Sequence, residues 1–225
     1  MTVATTVADR RIFWTRRTQL LVAGGGGALL VACGFAARHG TVGRGERRVF
    51  HAINDLPGWL YRTLWAFQQF GNLIVATVLV VAVALVLRRT RLLVTACAAV
   101  VLKLAGERAV KAVVQRQRPG SSIGDVVLRG AVPRHGLSFV SGHAAITAAF
   151  AVILTPVLPR RWRALPWALV ILNGTARIYV GAHNPLDILG GIGLGIVIGG
   201  LLNAFVPPRS RPAATFHDPV VSSVP

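Results

Sequence analysis

Eight residues of this chain have side-chain types and spacings that could do chemistry together: Lys111, Arg118, Ser141, Gly142, His143, Arg177, His183 and Asp187. Arg177, His183 and Asp187 place a cation, an imidazole and a carboxylate between two strongly apolar segments. Ionisable groups within or at the edge of a membrane are costly to bury, which makes them functional candidates. Lys111, Arg118 and Arg177 supply three cations for a multiply charged oxyanion, Arg as a bidentate fork and Lys as a point charge. Ser141-Gly142-His143 opens an apolar run, so the N–H groups of a starting helix would add an anion site. Phosphate matches this much positive charge better than sulfate or a carboxylate does. His183 with Asp187, four residues on, reads as an imidazole–carboxylate pair in which the acid fixes the tautomer and stabilises the imidazolium. An oriented imidazole is a nucleophile, and His143 could protonate a departing oxygen. No carboxylate cluster suits magnesium and no Cys/His spacing suits zinc, so the chemistry reads as free of metal and cofactor.

Each residue also has a plainer reading. Asn184-Pro185-Leu186-Asp187 is a good helix start, with Asn as N-cap, Pro first and an acid at the third position. Asp187 could be only a capping acid, and Ser141 only an N-cap. Arg118, before Pro119, could be a loop cation, and His143 a histidine at the membrane edge. Only their meeting at one place would set these readings aside.

What must position them is a set of apolar segments. The chain is 53% hydrophobic and 14% charged, with a mean hydropathy of +0.59; soluble domains are about one quarter charged. This is the composition of an integral membrane protein. The net charge of +18 comes from Lys+Arg 25 against Asp+Glu 7. The arginines gather at the ends of apolar segments, as in membrane proteins, and no basic run alternates with stacking aromatics, so nucleic acid is not an expected partner. Cys33 and Cys97 lie in apolar runs and read as small buried hydrophobes.

The expected fold class is all-α, an integral membrane bundle of six transmembrane helices. A basic cytoplasmic tail (1–18) precedes a membrane domain (19–206), and a disordered cytoplasmic tail (207–225) follows. The spans fall at roughly 19–37, 70–88, 92–114, 141–158, 164–181 and 186–206. Residues 38–70 are too polar to span and predict short interfacial helices, with His51 and Asp55 as a local pair. Lys103, Glu107 and Lys111, four apart, predict an ion-paired ladder on one face of the third span. Gly191, Gly195 and Gly199 mark a close-packing face, within the bundle or between subunits. Six spans put both termini, the 88–91 arginines and the 160–163 arginines on one side, which the positive-inside rule makes cytoplasmic. Arg38, Arg44, Arg47, Arg48 and Arg62 then lie outside, against the rule. The same count brings Lys111, Arg118, Ser141–His143 and Arg177–Asp187 together at the external face of the plasma membrane.

Lys111 followed by six residues and Arg118-Pro119, then Ser141-Gly142-His143, then Arg177, five residues, His183, three residues and Asp187 resemble the three-part signature of the type 2 phosphatidic acid phosphatase superfamily. The resemblance covers roughly residues 50–205 and implies a metal-independent lipid phosphatase with a six-helix membrane core. It implies that His183 attacks phosphorus to form a phosphohistidine, that Asp187 supports it, and that His143 protonates the leaving group. Lys111, Arg118, Ser141, Gly142 and Arg177 match phosphate-holding positions. Two positions depart from the signature: Val140 where the family usually has Pro, and Ala176 where it often has Ser, a hydroxyl near the phosphate. Substrates implied are a lipid phosphate or polyprenyl pyrophosphate: phosphatidic acid, phosphatidylglycerophosphate, undecaprenyl pyrophosphate or a polyprenyl-phosphosugar phosphate. A vanadium haloperoxidase resembles the same motifs, but those proteins are soluble. A non-catalytic phospholipid-binding or transport protein would need the cations and not the two histidines.

Overall fold

The computed structural model describes residues 15–206. Residues 1–14 of the expected basic tail and all of the expected tail at 207–225 lie outside these. Among the described residues the regular structure is all helical, with one isolated antiparallel bridge between Gln117 and Leu137.

Each expected span is built on a helix. Helix α1 (Arg16–Ala37) starts inside the stretch read as tail, because the Thr15 side chain caps it by accepting from Thr18 N. The interfacial stretch folds as α2 (Arg44–Asn54), a 3-10 turn (Gly58–Leu60) and α3 (Tyr61–Gln69). His51 Nδ1 lies 3.3 Å from Asp55 Oδ2, the local pair expected there. Helix α4 (Leu73–Val86) is capped by Asn72, whose side chain accepts from Ile74 N and Val75 N. Helix α5 (Thr90–Val114) carries the ladder: Glu107 takes Lys103 Nζ at 2.6 Å and Lys111 Nζ at 2.5 Å. Pairing offsets part of the desolvation cost of these three partly buried charges. A short turn, α6 (Pro119–Ser122), leads to α7 (Gly142–Leu154), α8 (Ala164–Tyr179) and α9 (Pro185–Phe205).

By length and composition α1 and α9 are each apolar enough to cross a membrane. The segment Gly58–Gln69 and α4 pass together as a third, bent by 56° at their break. Helix α7 has 13 residues and α8 has 16, short against the roughly 20 that a perpendicular span needs. Cys33 is buried as expected, whereas Cys97 is exposed on α5.

Helix α9 is central and packs chiefly on α1 and α7. Its glycines decide both contacts. Gly191, Gly195 and Gly199 lie directly on α7, where a Cβ at Gly195 would collide with Ala145 O and one at Gly199 would come within 2.6 Å of Val152 Cβ. The four-residue glycine face thus serves inside the bundle. On the other side Gly193 and Gly200 lie against α1, whose Gly26 sits on Ile196 and on Gly193 O. Small residues allow backbones to approach this closely, and van der Waals contact is the main attraction between helices in lipid. Gly195→Val should therefore destabilise the protein by about 1–3 kcal/mol through overpacking. Its unfolding temperature in detergent should fall by several degrees, whereas Gly24→Ala, with nothing within 4 Å of its Cβ and better helix propensity, should not lower the temperature.

Candidate active site

The signature residues meet because three loops are stitched together through their backbones. Helix α5 ends at Gln115, in the left-handed region at φ 48°, which turns the chain back along residues 136–138. Arg118 N donates to Gly136 O at 3.0 Å and Ser138 N donates to Arg116 O at 2.8 Å. Ser141 N donates to Asp187 O at 2.9 Å, joining the start of α7 to the start of α9. Arg118 Nη1 donates to Ala182 O at 3.1 Å, which joins the first loop to the segment carrying His183. Gly181 makes the sharp turn after α8: its φ is 77°, and a Cβ would stand 3.0 Å from Val127 O. Both the conformation and the space there require glycine.

His183 is buried, and its Nδ1 lies 3.1 Å from Ser138 O. A carbonyl only accepts, so Nδ1 carries the hydrogen and Nε2 keeps its lone pair. The imidazole–carboxylate pair expected from the sequence is present with Nδ1 3.8 Å from Asp187 Oδ2, too far for Nδ1 to donate a hydrogen bond to it, so Ser138 O and not Asp187 fixes the tautomer. The carboxylate is already engaged. Its Oδ2 accepts from Asn184 N at 2.8 Å, as a capping acid does, and its Oδ1 accepts from Arg116 Nη1 at 3.2 Å. Asp187 therefore caps α9 and also sets a carboxyl group close to the imidazole. Burial, then the charges of Arg177, Arg118 and Lys111, push the His183 imidazole well below its ordinary value of 6.5, with Glu107 opposing them. The ring is thus neutral at pH 7, the form that can attack.

The cations are held in different ways. Lys111 shares Glu107 with Lys103. Arg177 Nη1 donates to Gln68 Oε1 at 2.9 Å, while its Nε is buried without a hydrogen-bond partner. A buried donor left unpaired costs about 1–3 kcal/mol, so this one is poised for an acceptor. Gly142 starts α7 directly over the ladder: a Cβ there would collide with Glu107 Oε2 and come within 2.7 Å of Lys103 Nζ. Ser141 Oγ accepts from Ala144 N at 3.5 Å, the N-cap role the sequence left open. His143 is half-buried beside Gly71 and within electrostatic reach of Arg177 and His183.

Residues 89–211 match the PAP2 superfamily. The chain belongs to this superfamily. It is 31% identical over 177 residues to decaprenylphosphoryl-5-phosphoribose phosphatase of Mycobacterium tuberculosis strain H37Rv, covering 75% of this chain and 94% of the relative. The sequence from strain CDC 1551 / Oshkosh matches equally well. Among solved structures, Aquifex aeolicus LpxE superposes with a TM-score of 0.62 at 26% identity, over 69% of this chain and 92% of that one. A transmembrane PAP2-type phosphatidylglycerolphosphate phosphatase from Bacillus subtilis superposes with a TM-score of 0.61 at 19% identity, over 78% and 93%. As a PAP2 member the chain is an enzyme, a phosphatase, and two of these relatives carry a lipid phosphate in their names.

The two departures from the PAP2 signature have local explanations. Val140 is fully buried with Phe139, and both lie against Gly190 of α9. Ala176 is fully buried in an apolar cluster with Leu64, Tyr179 and Val180, so a hydroxyl there would sit among hydrocarbon. Other residues were missed by sequence reasoning. Arg116 has no exposed surface and links Glu46 to Asp187. Asn54 is also fully buried; its Nδ2 donates to Val127 O and Tyr179 O, and its Oδ1 accepts from Val127 N. Arg129 donates to Asn54 O, Leu56 O and Tyr179 O and covers the Tyr179 ring at 4.0 Å. The one available signal was scarcity, since Glu46 is among only seven acids in the chain.

Because kcat/KM reports ionisations of the free enzyme, the neutral His183 has a consequence for pH dependence. Corrected for the substrate's own phosphate ionisation, the acid limb of kcat/KM should lie below pH 6.5, the ordinary histidine value. A limb above 6.5 assigned to His183 by titrating the ring would contradict a depressed value.

Proposed function

We propose that this enzyme hydrolyses a lipid phosphomonoester at the external face of the plasma membrane through a phosphohistidine at His183. The observation that carries this reading is a buried, neutral imidazole, fixed through Nδ1 and free at Nε2, facing Lys111, Arg118 and Arg177. In the first step Nε2 attacks phosphorus and the bond to the lipid oxygen breaks, while His143, having taken up a proton, delivers it to that oxygen. In the second step a water gives a proton to His143 and attacks the phosphohistidine; the P–N bond breaks and inorganic phosphate leaves. The three cations and the N–H groups at the start of α7 hold the phosphoryl oxygens throughout. Asp187 answers the positive charge that forms on the imidazole. No metal or other cofactor enters these steps.

The architecture we propose is six spans, built on α1, the bent α3–α4 pair, α5, α7, α8 and α9, with both termini cytoplasmic. The arginine clusters at 88–91 and 160–163 support this orientation. Residues 1–18 and 207–225 would be cytoplasmic tails on either side of the membrane domain. A polyprenyl-phosphosugar phosphate leads the candidate substrates, because the match to the mycobacterial relative spans 94% of that protein. Phosphatidylglycerophosphate, phosphatidic acid and undecaprenyl pyrophosphate are the comparison substrates.

The deciding assay is phosphate release by purified protein in detergent with EDTA present, over that set of four lipids. Turnover should persist in EDTA and be greatest with the polyprenyl-phosphosugar phosphate. His183→Ala should abolish turnover, and His143→Ala should retain slow reaction only with substrates whose leaving group needs no proton. Loss of activity on chelation, or wild-type turnover by His183→Ala, would sink the mechanism.

A further inference from the structure

We propose that Glu46 and Arg116 are positioning residues for His183, holding Asp187 beside the imidazole as one end of a buried charge relay with a net charge of minus one. This rests on the phosphohistidine reading above.

Arg116 has no exposed surface, and neither has Asp187. The guanidinium donates to Glu46 through Nη1 at 2.9 Å and Nη2 at 2.6 Å, and to Asp187 Oδ1 through Nη1 at 3.2 Å. Two carboxylates thus share one cation. Burial works against the charge on Arg116, but its bonds to Glu46 and the field of Asp187 outweigh it and raise its value. Glu46 Oε1 also accepts from Leu186 N at 3.0 Å, in the first turn of α9. It therefore holds both the cation and the backbone that carries Asp187.

The charge count explains why a second carboxylate is needed. Alone with Arg116, Asp187 would form a neutral pair and offer the imidazole little net field. With Glu46 present, Arg116 is shared, and the cluster holds one more carboxyl group than cation. The other groups facing the imidazole are Arg177 from α8, Arg118 from the loop, and Lys111 with Glu107 from α5, with His143 at the start of α7. Apart from Glu107, already shared by two lysines, these cannot stabilise an imidazolium. Asp187 is the remaining negative group, and its orientation is set by Arg116 and Asn184 N. The geometry also gives α2 a purpose, since it delivers Glu46 to the site.

Glu46→Gln tests this, because it keeps the size of the side chain and an acceptor for Leu186 N while removing the charge. It should lower kcat by about tenfold or more with KM changed by less than about twofold, and slow phosphoenzyme formation in the same proportion. Glu46→Asp should recover kcat to within about threefold of wild type. Wild-type kcat in Glu46→Gln, or a loss confined to KM, would overturn the proposal. If Glu46→Gln does not elute as folded protein, Arg116→Lys replaces it: the shorter ammonium lacks the planar fork that fixes both carboxyl groups at once, so kcat should fall at constant KM, and wild-type kcat would again overturn the proposal. Trapping labelled phosphoenzyme from wild type and from His183→Ala tests the underlying reading separately. No label on wild type defeats the phosphohistidine, whatever the Glu46 variants do.

Discussion

A guanidinium without exposed surface is the constraint on which this site depends. Arg116 lies between Glu46 from α2 and Asp187 from α9, and it cannot sit there uncompensated. A buried ion pair need not add net stability over apolar packing, but removing one partner is severe because the other is left charged and buried. The three charges therefore act as a unit, tying the interfacial region, the loop after α5 and the start of the last helix together. Ser138 O and Asn184 N complete the frame around His183 and Asp187 with backbone groups. The imidazole is thus aimed by elements that are distant in sequence and hydrogen-bonded to one another.

Close helix packing is the second constraint. The site requires the starts of α7 and α9 to lie side by side, near enough for Ser141 N to reach Asp187 O. Below that point the two helices run in contact through Gly191, Gly195 and Gly199. Gly142 lets α7 begin directly over the Lys103–Glu107 pair. Packing without side chains places the charges, and the charges then set the chemistry. Electrostatics and packing meet in one residue, Asp187, which caps a helix, pairs with a buried cation and lies beside the His183 imidazole.

Much of this was legible along the chain. Each segment expected to span falls on a helix, and of these α1, α9 and the bent α3–α4 pair are long and apolar enough to cross a membrane. The Lys103–Glu107–Lys111 ladder followed from four-residue spacing, and short helices were expected over 38–70, although Gly58–Gln69, read there as too polar to span, passes with α4 as one bent span. The signature residues were legible as types and spacings. The fine structure of the site was not. Asp187 read as a direct partner of His183 because the two are four residues apart, but its oxygens were taken by Arg116 and Asn184 N. Ala176 read as a lost phosphate contact, yet it lies in an apolar cluster. Arg116 and Glu46 escaped notice because 70 residues separate them, and a contact that distant has no local period.

The sequence by itself determined which segments are apolar enough to be helices of a membrane protein, which groups could bind a phosphate and which histidines could react. These are properties of residue type and short spacing, and local physics suffices to read them. Only the tertiary structure decided the tautomer of His183, the double engagement of Asp187, the inward use of the glycine face and the place of Arg116. Each depends on which backbone carbonyl, carboxylate or helix lies opposite a given atom, and that is set by packing between elements remote in the chain.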